Sequence, residues 1–371
     1  MFKDLKVLEL ASVLAGPSVG QFFAELGADV IKIENLKTGG DITRSWKGPG
    51  EKPDALSAYF CSCNWGKKSV AIDLNSKQGK QIVHKLVAQS DVVIASYKPG
   101  DAETLGVSYN QLKDFNQKLI YGQITGYGPD NDRVGYDAVI QAESGFMEMN
   151  GDVNGPALKM PVALIDVLAG HQLKEGLLLS LLKKEKTGKG SFVEVSLIQT
   201  AMASLVNQAT NWLVAGKIPV RQGSSHPNIA PYGDVYETRD GKRVLLAVGS
   251  DRQFKNLLSI VNENTLDSLQ IFSTNELRVI NRGALKDILG KAIKKVDSAD
   301  FLMKLHSAKV PGGLIQNVKE LFEMPEAIEM LLTSNGLMGV RSIAVRNYDD
   351  NFVLSPPPAF GQHTEEVIKC L

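Results

Sequence analysis

What this 371-residue chain lacks narrows its chemistry before any motif is read. No uninterrupted apolar run approaches the about 20 residues that a membrane-crossing helix needs. The opening MFKDLKVLEL carries Lys3, Asp4, Lys6 and Glu9, charges that the core of a secretory signal peptide does not tolerate. Net charge is missing too: 41 basic residues balance 41 acidic ones, so no overall field draws the chain to nucleic acid or to an anionic membrane. Cysteine is scarce. Cys61, Cys63 and Cys370 are an odd set, and the C-x-C pair lacks the second pair and the histidines of a zinc site. The expectation is a cytoplasmic protein with reduced, structural thiols, no metal, no tightly bound cofactor, and neither nucleic acid nor membrane as partner.

Two phosphate-binding fingerprints are also missing. Val7 to Leu10 reads as a strand, Leu14 to Pro17 as a small-residue turn, the stretch through Phe22 and Leu26 as a helix, and Ala28 to Glu34 as a second strand. That order is Rossmann-like, but the turn offers only Gly16 and Gly20, with Pro17 between them, so no dinucleotide motif is present. Further along, Gly66-Lys67-Lys68-Ser69 invites a phosphate loop. It fails, because Cys61 stands where the first glycine belongs and a strand follows instead of a helix. Lys67 and Lys68 then read as solvated surface lysines, with Lys67 worth at most about 1 kcal/mol to a phosphate.

What is present is an alternation of strands and helices. Val70 to Leu74, Asp91 to Ala95, Leu119 to Ile124 and Phe192 to Ser196 read as strands, with an amphipathic helix over 77–90 and helices over 138–149 and 197–214. After Pro231 the pattern changes to a hairpin around Arg239-Asp240-Gly241-Lys242, then charged amphipathic helices, with a closing hairpin from Gly339 to Leu354. The fold class expected is α/β: a Rossmann-like large domain with a parallel sheet (1–219), a linker (220–230), a smaller α+β domain (231–330), and a segment (331–371) that returns to the large domain.

The stretch Leu164 to Gly190 is a helix with marked ends, running from Asp166 at its mouth to Lys183, Lys184, Lys186 and Gly188. An Asp in the first turn is by itself most often an N-cap, kept ionised by the helix dipole.

Several segments change that balance. Leu14-Ala15-Gly16-Pro17 with Leu26 to Glu34, Asn64 to Leu74 with Tyr97-Lys98-Pro99-Gly100 and Leu105-Gly106, Gly135-Tyr136-Asp137 with Asp166 and Thr187 to Gly190, and the tail Pro356 to Thr364 together resemble the family III CoA-transferases. Known members include formyl-CoA and carnitine CoA-transferases, with α-methylacyl-CoA racemase as a relative. The resemblance implies that Asp166 is a nucleophile, moving CoA from an acyl-CoA to a free carboxylic acid through aspartyl anhydride and aspartyl-CoA thioester intermediates. It implies that coenzyme A, as acyl-CoA substrate, lies along Val13, Leu14 and Ala15, with Ile72 and Asn75 at the adenine, Ser96, Tyr97 and Lys98 beside it, and Tyr136 near the pantetheine. Val13, Ala15 and Ile72 otherwise read as ordinary core residues, and Tyr97 and Tyr136 as packing aromatics. Asn35 and Thr104 stand where formyl-CoA transferase has arginines, so Lys37, Lys98 or Arg133 is expected to meet the phosphates. The family's interlocked homodimer is the implied assembly.

Two other activities remain open on this sequence. A silent acyl-CoA-binding protein would keep the CoA path without exchange. The racemase branch needs a histidine in a Gly-His-Asp triplet, whereas this chain has Gly135-Tyr136-Asp137, and His171 reads as a packed or surface residue. A phenol, ionising near pH ~10 in water, is a poor proton shuttle at neutral pH. The protein is therefore expected not to wash solvent deuterium into the α-position of a 2-methylacyl-CoA. Rapid incorporation seen by mass spectrometry would promote the racemase assignment.

Overall fold

Short β-rich apolar runs separated by helix-forming stretches build a sheet covered on both faces. The structure is a computed structural model that describes residues 1–262, 270–345 and 353–371. Its main sheet has six strands, β1 (Lys6–Leu10), β2 (Asp29–Asn35), β3 (Lys67–Ile72), β4 (Val92–Ala95), β5 (Ile120–Thr125) and β6 (Ser191–Ser196). They pair in the order β3-β2-β1-β4-β5-β6, every pair parallel. Side chains of period two feed two cores. Val7, Val92, Ile94 and Ile120 face the helices Ala15–Glu25 and Leu164–Thr187, while Leu8, Val70, Val93 and Tyr121 face the helix Lys77–Ala88.

Charge is buried at the centre of the sheet. Glu9 on β1 is fully inaccessible and lies between Lys32 Nζ at 2.8 Å and Lys67 Nζ at 2.7 Å. Lys32 also meets Asp41 at 2.9 Å and the Ala11 carbonyl at 2.7 Å, and Lys67 donates to Pro17 O and Asn64 Oδ1. Beside them Arg44 forks onto Glu34, at 2.8 and 2.6 Å, and lies 3.7 Å above the centre of the Phe60 ring. Room for Glu9 comes from Gly20, where a Cβ would stand 1.8 Å from Glu9 Oε2.

This overturns one expectation. Lys67 is no solvated surface lysine but an internal counter-ion, whereas Lys68 does pair at the surface, with Asp29 at 2.9 Å.

The chain forms two compact units, one comprising 1–146, 159–217 and 326–371, the other 147–158 and 218–325. In the first unit, the segment from 353 onward returns to β3: Ser69 N donates to His363 Nδ1 at 3.1 Å and Ala71 N to Thr364 Oγ1 at 2.9 Å, covering the sheet's edge. In the second, β7 (Tyr232–Glu237) and β8 (Arg243–Ala247) form the hairpin expected around Asp240-Gly241, extended by β9 (Gly312–Leu314). Its own core gathers Phe254, Leu257, Leu289 and Phe301.

Three elements differ from expectation. The 197–214 helix is two, Leu197–Ser204 and Asn207–Leu213, broken where Val206 takes φ 47°. The 138–149 helix is interrupted at Gly145, with φ 85°. The closing hairpin is β10 (Leu331–Ser334) with β11 (Leu337–Val340), turning on Asn335-Gly336, both with positive φ; of the hairpin expected further on, Phe352 lies outside the described residues.

Removing one partner of a buried ion pair strands the other, so Lys67→Ala is expected to destabilise the protein by about 3–5 kcal/mol. Urea unfolding is the measurement, and a loss below ~1 kcal/mol would show that the network is dispensable.

Candidate active site

In an open parallel sheet, ligands settle beyond the carboxyl ends of the strands, where neighbouring strands send their connections to opposite sides. Here that point lies between β1 and β4. Two adjoining cavities open there, of about 300 Å³ and about 280 Å³, sharing Ser12, Ile42, Ser96 and Tyr97 in their walls. Val13, Leu14, Ala15, Lys98, Tyr136 and Asp166 line the first, and Ile72 and Asn75 line the second. All ten residues singled out from the sequence thus border these two cavities. His171 lies on an exposed helix face and borders neither cavity.

The turn after β1 is strained. Val13 has φ 74°, a left-handed conformation that costs a β-branched residue about 1–3 kcal/mol.

Asp166 sits in the first turn of the Leu164–Thr187 helix but does not cap it. The cap comes from Asp137, whose Oδ1 accepts from Ile165 N at 2.8 Å while its Oδ2 accepts from Gln141 Nε2 at 2.7 Å. Asp137 is itself placed by a close backbone crossing: a Cβ on Gly135 would lie 2.6 Å from Gly126 Cα, so the loop before Asp137 lies against the end of β5.

The Asp166 carboxylate is buried and accepts no hydrogen bond among the described residues. Burial, and then the like charge of Asp137, push its pKa from 3.8 up to about 7. The ionised, dipole-stabilised Asp expected from the sequence is corrected here, because desolvation outweighs the helix end.

One neighbour escaped the sequence reading. Tyr59, on the short helix Ala58–Cys61 and edge-on to Trp46 at 5.1 Å, has its phenol pushed up to about 12 by burial and by the Asp166 charge, so it remains a proton donor. The stretch before it is rich in Gly and Pro. Only the N-cap Ser57 marks the helix in sequence.

Of the three cations expected to meet phosphate, Lys37 is engaged by Asp73 at 2.9 Å, and Arg133 by Glu143 and the face of Tyr127 at 4.3 Å. Lys98 is exposed and has no ion pair among the described residues.

Residues 2–364 match the model of CoA-transferase family III. The chain belongs to that family. It is 35% identical to a succinate–glutarate CoA-transferase of Agrobacterium fabrum, over 98% of this chain and 94% of that protein. It is 34% identical to a human succinyl-CoA:glutarate CoA-transferase, over 99% and 85%. A crystal structure of a CaiB/BaiF family protein from Brucella suis superposes with a TM-score of 0.86 at 37% identity, covering 98% of this chain and 97% of that one. This family III CoA-transferase is therefore an enzyme of CoA transfer, and no helix among the described residues is long and apolar enough to cross a membrane.

The raised Asp166 pKa has a consequence for stability. A carboxyl group that ionises at about 7 when folded, against 3.8 when unfolded, contributes stability fully present below pH 3.8 and lost as pH rises to about 7. Asp166→Asn has no such loss. It is expected to match wild type near pH 4 and to exceed it at pH 8 by an amount on the order of 4 kcal/mol, from 1.36 kcal/mol per pKa unit. Equal urea midpoints at pH 8 would contradict that environment for Asp166.

Proposed function

We propose that Asp166 is the nucleophile of a CoA transfer between short dicarboxylic acids, with succinyl-CoA as donor and glutarate as an acceptor. The observation that carries this reading is a buried carboxylate, free of hydrogen bonds among the described residues and raised to about 7, in the wall of a cavity at the sheet's switch point. A carboxylate so placed is poorly solvated and basic for its kind, which makes it a better nucleophile than one in water. The acyl groups are those in the names of the two relatives, which align with this chain over nearly its whole length.

In the proposed sequence an Asp166 oxygen adds to the thioester carbonyl, the C–S bond breaks, and a mixed anhydride and CoA thiolate result. The thiolate then attacks the aspartyl carbonyl, releasing the donor acid and leaving an aspartyl-CoA thioester. The acceptor carboxylate displaces CoA from that thioester to give a second anhydride. Attack of the thiolate on the acceptor's acyl carbon yields the new acyl-CoA and restores the carboxylate. No proton is consumed overall. Each tetrahedral intermediate needs donors, and the Tyr59 phenol, held protonated and raised in part by the Asp166 charge, is a candidate.

CoA would lie along Val13, Leu14 and Ala15, with its adenosine near Ile72 and Asn75, its phosphates toward Lys98, and Ser96, Tyr97 and Tyr136 along its flank. The cytoplasm is the proposed compartment. An interlocked homodimer is the proposed assembly, and it would cover Trp212, Leu213 and Val214, which are 52%, 75% and 83% exposed.

Intact-mass measurement after incubation with succinyl-CoA tests the chemistry. Wild type is expected to carry a CoA adduct that glutarate discharges; Asp166→Ala should carry none and lose roughly 10⁴-fold or more in turnover. The kcat/KM profile should rise with an acid limb near pH 7, the value to which Asp166 is pushed, and Asp137→Asn should move that limb downward. Turnover in Asp166→Ala at the wild-type rate would end the proposal.

A further inference from the structure

The buried charge network reaches the proposed acyl-CoA path at Val13, through the carboxylate of Asp41. Asp41 is 2% exposed and has four kinds of partner. Its Oδ2 meets Lys32 Nζ at 2.9 Å, and its Oδ1 accepts from Thr43 N at 3.1 Å and Thr43 Oγ1 at 2.8 Å. Both oxygens lie 3.3 Å from the N–H of Val13. Val13 is the residue with φ 74° in the cavity wall, and its carbonyl is bound from the other side by the Cys63 thiol at 3.5 Å.

A valine does not stay in a left-handed conformation unless its surroundings hold it there. The helix that follows gives no help, since its N-cap, Leu14, has no side-chain cap hydrogen bond. Asp41 is in turn fixed by groups that do not face the cavity: Lys32 is shared with Glu9, and the Asp41 N–H donates to Glu34 Oε2 at 2.8 Å.

We propose that Asp41 is a positioning residue for CoA transfer: its carboxylate, anchored by Lys32, holds the Val13 N–H and keeps the strained turn shaped to receive CoA. This rests on the placement of CoA along that turn proposed above. Asp41 touches neither thioester nor acceptor, so it acts on affinity and not on the chemical step.

A glycine at position 13 adopts the same conformation without strain, which separates positioning from general stability. Isothermal titration with CoA and steady-state kinetics on Asp41→Asn, Val13→Gly and the double variant make the test. Asp41→Asn is expected to weaken CoA binding and raise KM roughly 10-fold, with kcat within ~3-fold of wild type, whereas in the Val13→Gly background the same change should weaken binding by less than ~3-fold. Equal losses in the two backgrounds, or a fall in kcat at unchanged affinity, would overturn the proposal. Should Asp41→Asn not fold, Asp41→Glu keeps the charge opposite Lys32 while displacing the oxygens from Val13 N, and the same cycle decides. Ala15→Trp separates the underlying placement. If it binds CoA like wild type, the placement is wrong and the proposal falls with it. If it blocks CoA while the two Asp41→Asn losses are equal, the placement stands and the positioning role fails.

Discussion

One carboxylate between two ammonium groups underlies the first unit. Glu9 lies opposite Lys32 in the β1–β2 register and is closed from the other side by Lys67, which begins β3. With Asp41, Glu34 and Arg44 the set comprises three anions and three cations, so no net charge is left inside. Such a network adds little to stability compared with an apolar core, but it penalises every alternative pairing. A slip of one residue between β1 and β2 would send Glu9 and Lys32 to opposite faces of the sheet. The Glu9–Lys32 pair therefore penalises a slipped register on this side, whereas β4 is wholly apolar and β5 is buried at every position but Gln123.

The catalytic side depends on a balance of another kind. Two acidic side chains start two helices close together, and only one of them is given donors. Asp137 takes the Ile165 N–H and the Gln141 amide and so behaves as a cap; Asp166, one residue further along the same turn, is left with burial and a negative neighbour. Under the proposed function the arrangement would divide structural from reactive duty between carboxylates of the same type, as neighbouring titratable groups in enzyme sites commonly do.

Much of this was legible in the sequence, and what was not has definable causes. The strands and the Asp166 helix carry their periodicity and end signals locally, from Asp166 to the left-handed Gly188 at φ 68°. The groove residues follow from strand ends, which motif resemblance located. Lys67 was misread because its partner Glu9 is remote in sequence, and Tyr59 was missed because a four-residue helix has too few positions to show a period. The Asp166 ionisation was misjudged because dipole and capping rules are local, whereas burial is a property of the packed unit. The Asn335-Gly336 turn was readable, being among the strongest hairpin signals, but the apolar run beyond it drew the hairpin too far along the chain.

The late residues that cover β3 have a bearing on biosynthesis. Ser342 N donates to Glu25 Oε1 at 2.7 Å, His363 pairs with Ser69, and Arg44 reaches the Pro358 carbonyl at 3.1 Å, so contacts that finish the first half of the sheet join residues some 300 positions apart. While the ribosome is still making the second unit, the first has its strands but not its edge. β3 then offers a row of unpaired amides to solvent and to any chaperone or sister chain nearby. Closure waits for the final segment to emerge, which makes the last stage of translation, and not the first, the moment when this sheet becomes safe from intermolecular pairing.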